Sequence, residues 1–85
     1  MTLKPIISET ATLDQLAVGV TAIVIEVRNG DEAREHLAAR GIGPGVAVRV
    51  LKGGDPLLVA VDQARWAIGR RHARAVAVIE GDTGT

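Results

Sequence analysis

At 85 residues the chain has room for one domain with one modest core and no second. Ten basic and ten acidic residues leave no formal net charge, so no global field draws the protein onto nucleic acid or an anionic membrane. The lack of cysteine removes disulfides, thiolate metal sites and a cysteine nucleophile together, and fits a reducing, cytoplasmic setting.

The first eleven residues and the tail at residues 81–85 offer no periodic apolar contacts and are expected to be mobile, with the folded domain over residues 12–80. No apolar run approaches the roughly 20 residues that span a bilayer, so no direct membrane insertion is expected. Apolar residues make up 47% of the chain but aromatics only 1%, and Trp66 is the single one. The core must then be built from Val, Ile, Leu and Ala, a composition that favours strands.

"TAIVIEVR" at residues 21–28 is the first apolar run of strand length. "NGDEAREHLAAR" follows with a different period: Ala33 and Leu37 are four apart with Ala38 beside them, one face of a short helix. Asn29 is a candidate N-cap with Glu32 reaching back in a capping box, and Asp31 is a rival cap. Gly41 suits the left-handed position just past a helix end, where a side chain clashes, and Ile42 then folds back onto Leu37 as in a Schellman ending. Gly43, Pro44, Gly45 and Val46 read as a tight turn, with Pro44 at its first central position and Gly45 in the positive dihedral of a type II turn.

"VAVRVL" at residues 46–51 alternates with Val46, Val48 and Val50 on one face, and "PLLVAV" at residues 56–61 does so with Leu57, Val59 and Val61. "RWAIG" at residues 65–69 and "AVAVI" at residues 75–79 complete a set of five strands. The connections "KGGDP" and "DQA" have hairpin length. Five short strands and one helix between the first and second predict a mainly β, antiparallel small barrel, since curling the sheet protects edges that a chain of this size cannot otherwise cover.

Catalytic chemistry finds no constellation. The two histidines, His36 on the helix and His72 before the last strand, sit in no nucleophile motif, and the glycine-rich turns lack the Walker lysine and hydroxyl. Glu32 and His36, four apart, share a helix face and make half of a divalent-metal site. Two ligands hold a metal weakly, so neither a metal site nor a cofactor is expected. Charge is nevertheless segregated: residues 65–74 carry Arg65, Arg70, Arg71 and Arg74 with no acid. Trp66 beside Arg65 adds the residue types that recur as interface anchors, so Arg65, Trp66, Arg70, Arg71 and Arg74 form the candidate partner surface.

From residue 13 to residue 78 the chain resembles the FeoA family, small SH3-like proteins associated with the ferrous iron transporter FeoB, and the related C-terminal domain of iron- and manganese-dependent repressors. "TLDQLAVGVTA", "HLAARGIGPGVAVRVL" and "GDPLLVAV", with Ile68, Ala73, Val76 and Val78, are similar to the family pattern in order and spacing. Val18-Gly19 stands where many relatives have proline-glycine, and "GRRH" at residues 69–72 replaces a segment of mixed charge. The resemblance implies an SH3-like barrel without enzymatic activity, a cytosolic accessory of ferrous iron uptake that contacts FeoB and is recruited by it to the inner membrane face. The alternative it implies is a stand-alone regulatory domain related to that of the repressors, acting through another protein because no helix-turn-helix is present to read DNA. Binding of nucleic acid is disfavoured by zero net charge and missing stacking aromatics. One tryptophan does not make the aromatic groove with which SH3 domains grip proline-rich ligands.

Overall fold

A computed structural model describes residues 10–81. The strands are β1 (Ala11–Thr12), β2 (Thr21–Val27), β3 (Ala47–Lys52), β4 (Leu57–Val61), β5 (Ala64–Ile68) and β6 (Val76–Glu80). Helix α1 (Gly30–Ala38) joins β2 to β3, a one-turn helix α2 (Arg70–Ala73) joins β5 to β6, and a 3-10 turn (Leu13–Gln15) follows β1. All pairings are antiparallel, in the order β1-β6-β2-β3-β4-β5. The sheet curls into a small barrel without closing, so among the described residues β1 and β5 are its edges.

The five expected strands are all present, and β1 is a sixth. Ala11 pairs with Val78 and Thr12 with Ala77, so pairing begins inside the stretch expected to be a leader. The remainder of that leader, residues 1–9, and residues 82–85 of the expected tail lie outside the described residues.

Alternation explains the core. Val48 and Val50 of β3, Leu57, Val59 and Val61 of β4, and Ile68 of β5 face one side and are buried, and the same cluster takes Leu13, Val24, Leu37, Ile42, Val76 and Val78. Each such side chain contributes on the order of 1.5–3 kcal/mol on leaving water. Among the described residues no polar or charged residue is buried, so every group capable of chemistry lies at the surface.

The capping box expected at the start of α1 does not form. Asn29 is left-handed (φ 67°), makes no side-chain cap bond, and is followed by left-handed Gly30 (φ 91°). A capping side chain requires an extended backbone at its own residue, and this pair instead turns the chain sharply out of β2. At the other end the expectation is met. The Ile42 N–H donates to the Leu37 carbonyl and the Gly41 N–H to the Ala38 carbonyl, both at 2.9 Å, the paired bonds of a Schellman ending, with Gly41 at φ 77°. Gly45 follows at φ 90° in the turn into β3.

Candidate functional site

The connection between the last two strands, which shows no helical period in the sequence, is largely helical at residues 70–73. The Ala73 N–H donates to the Gly69 carbonyl at 2.9 Å and the Arg74 N–H to the Arg70 carbonyl at 2.9 Å, and the turn seats Ala73 fully in the core. One turn of four residues is too short to show a helical period, which is why the pattern did not betray it.

This turn divides the candidate partner residues. Arg70 belongs to the scaffold: its backbone N–H donates to Asp55 Oδ1 at 2.9 Å, Nη1 to the Gly54 carbonyl at 3.1 Å and Nη2 to the Asp14 carbonyl at 3.4 Å. It ties the β3–β4 loop and the 3-10 turn to the start of α2, so it does not extend freely toward a partner. Arg74 lies 4.0 Å from Asp14 Oδ2, a loose pair, and its side chain is largely exposed. Arg71 is exposed. The stretch without acids thus acquires two from afar, Asp14 and Asp55, because the fold returns distant segments to it.

Arg65 and Trp66 are neighbours in sequence but not in space, since successive strand residues face opposite sides. Trp66 sits across from Val59 on the core side, half-buried and packed against the cluster, with the Arg40 guanidinium 5.6 Å from its ring centroid. Arg65 is exposed on the outer side, across from Ala60, whose partner on β3 is Arg49. Arg49 and Arg65 therefore flank Ala60 on one face, two strand spacings or about 10 Å apart. Arg40 and Arg49 were not singled out on the sequence. Only the pairing register brings them to β5.

The turn residues have structural roles. Ile42 is buried against the core, and Gly43 and Pro44 line a shallow, mostly apolar groove of about 340 Å³ with Val27, Ala38 and Glu35.

The fold also joins the two histidines. His36 of α1 and His72 of α2 stack with centroids 4.0 Å apart and planes 13° from parallel. Partial burial pushes the His36 pKa down, followed by repulsion from His72 and Arg40, with Glu32 opposing. Stacked imidazoles hold their in-plane lone pairs side by side rather than converging on one point, so this arrangement is a packing contact and not a chelate. Among the described residues no three His, Cys, Asp or Glu side chains gather as metal ligands.

The FeoA domain model matches residues 11–80. The chain belongs to the FeoA family. Its fold is that of the solved FeoA proteins. A crystal structure named as an iron uptake regulatory protein, FeoA, is 29% identical over 86% of this chain and the whole of its own, with a TM-score of 0.82. Stenotrophomonas maltophilia FeoA, solved with zinc and described as a prokaryotic SH3 domain protein and candidate activating factor of ferrous iron transport, is 33% identical over 80% of this chain and 88% of its own, at 0.70. A manganese-dependent transcriptional repressor is 25% identical over 85% of this chain but only 42% of the repressor, at 0.78. No curated protein matches. The FeoA domain here is thus an SH3-like barrel, and among its described residues no helix is long and apolar enough to cross a membrane.

Proposed function

We propose that this FeoA domain is a non-enzymatic, cytosolic accessory of ferrous iron uptake that works by contact with a FeoB-type transporter, which recruits it to the inner face of the membrane. The observation that carries this reading is the family match across nearly the entire described fold. The surface suits it. The core of the described residues is wholly apolar, and exposed arginines on β3, β5 and α2 offer contact chemistry with an acidic partner.

Co-purification of the tagged chain with the transporter from solubilised membranes tests the reading. Retention at low salt that declines as ionic strength rises is expected, because screening shortens the reach of exposed charges to about 8 Å at physiological salt. Absence of the transporter from the retained fraction at low salt would refute it. The fold shared with the manganese-dependent repressor supports a second reading, a stand-alone regulatory domain that contacts a repressor. Retention of such a repressor instead of the transporter decides for it.

A further inference from the structure

Among the described residues strand β5 ends the sheet. Its register with β4 is regular: Leu57 faces Ile68, Val59 faces Trp66, and Val61 faces Ala64 across the two-residue turn of Asp62 and Gln63. A two-residue turn closes on a hydrogen-bonded pair, so these three pairs exchange backbone bonds, whereas Ala60 with Arg65 and Leu58 with Ala67 do not. The N–H and C=O groups of Arg65 and Ala67 consequently point away from β4. Among the described residues none of these four groups bonds to a turn, loop or cap.

Natural edges are commonly blunted by proline, a bulge or an inward charge. β5 has no proline, no register shift against β4, and Trp66 on its inner side. Both faces of this bare edge carry arginine instead. Arg65 lies on its outer face, with Arg49 two strands inward on that same face, and Arg40 lies over Trp66 on the inner one. The ion pairs among the described residues engage Arg28, Arg34 and Arg74, so none neutralises these three. Asp62 lines the same shallow dent of about 240 Å³ as Arg49 and Arg65 but is not within ion-pair distance of either.

We infer that β5 is a docking edge for an extended acidic segment of the partner protein, which adds to the barrel as a further strand. The Arg65 and Ala67 backbone groups take its main chain. Carboxylates at alternate positions lie on the outer face, one of them opposite Arg65, with Arg49 two strands behind adding to the attraction, and the intervening small apolar side chains lie toward Trp66. A second copy of β5 is a poor occupant, since antiparallel self-pairing places the two Arg65 side chains as near neighbours on one face. The inference rests on the contact reading of the proposed function and adds the place and chemistry of that contact.

The probe is the peptide acetyl-Thr-Glu-Val-Glu-Val-Thr-amide, added at low salt to the full chain and followed by amide NMR. Its isomer acetyl-Thr-Val-Glu-Glu-Val-Thr-amide has the same charge but divides its carboxylates between the two faces. The alternating peptide is expected to shift and protect the Arg65 and Ala67 amides, and the isomer to bind several-fold more weakly. Ala67→Pro removes one outward N–H and no bond to β4, and with Arg65→Glu it is expected to weaken binding about tenfold or more, while Arg34→Glu on α1 changes it by less than about twofold. Should Ala67→Pro fail to fold, Arg65→Glu and amide protection carry the test. Absence of binding at millimolar peptide, equal binding of the isomer, or changes centred on α2 would overturn the inference. Transporter co-purification that survives Ala67→Pro and Arg65→Glu also overturns it while leaving the transporter reading intact. Peptide binding without co-purification keeps the edge and removes the transporter.

Discussion

His36 and His72, on helices separated in sequence by three strands, stack face to face with their centroids 4.0 Å apart. The contact joins α1 to the only other α-helix among the described residues, and partial burial of His36 there, followed by repulsion from His72 and Arg40, predicts a stability that depends on pH. His36 in the folded chain holds its proton more weakly than in the unfolded chain, where an imidazole titrates near 6.5. A group with a lowered folded pKa of this kind favours folding fully above the unfolded value, and that contribution is lost as pH falls from 6.5 through the folded pKa. The urea midpoint should therefore drop between about pH 7.5 and about pH 5, and His36→Gln should flatten that drop. An identical pH profile for both proteins would show that the stack does not couple to protonation.

Gly41 ends α1 at φ 77°, and a Cβ there would meet Val61 Cγ1 at an ordinary 3.8 Å. Space is therefore not the constraint; backbone strain is. Gly41→Val should lower stability by about 1 kcal/mol or more, because a β-branched residue is poorly tolerated in the left-handed region. Chemical denaturation with an unchanged midpoint and slope would contradict that assignment.

Arg70 and Arg71 are adjacent and chemically identical yet should behave oppositely. Arg70→Ala loses side-chain bonds to the Gly54 and Asp14 carbonyls and should cost about 1 kcal/mol, whereas Arg71→Ala should fall within about 0.5 kcal/mol of the parent. Thermal melts of the two variants check this, and equal losses would mean that the Arg70 bonds contribute nothing to folding.

Trp66 is the only aromatic ring of its kind in the chain, so its fluorescence reports one site. Arg40 covers it from 5.6 Å and donates through Nη1 to the His36 carbonyl at 2.8 Å. Arg40→Ala should shift the emission to the red as the indole gains water, and reduce stability by roughly 0.5–1 kcal/mol. An unshifted spectrum would show that Arg40 does not shield the ring.

Local signals in the sequence determined most of the barrel. Val48 and Val50, or Leu57, Val59 and Val61, announce a strand and its buried face without knowledge of any partner, because the strand period is fixed by the backbone. Gly41, Ile42 and Gly45 mark their turns for the same reason, since a positive φ is a property of one residue. What depends on return of the chain was decided only by the tertiary structure. Thr12 pairs with Ala77 at a separation no local pattern records, Asp14 and Asp55 reach Arg74 and Arg70 across the fold, and His72 finds His36. Asn29 had the right chemistry for a cap but not the backbone, because the exit from β2 set its dihedral. The arginines divide in the same way. Sequence shows Arg65, Arg70, Arg71 and Arg74 as one cluster, while pleating sends Arg65 to the outer face, hydrogen bonds bind Arg70 into the scaffold, and the register adds Arg49 beside Ala60. A surface is made of residues adjacent in space, and in a sheet that adjacency is set by strand pairing, which hydrogen bonds between distant segments fix and sequence neighbours do not.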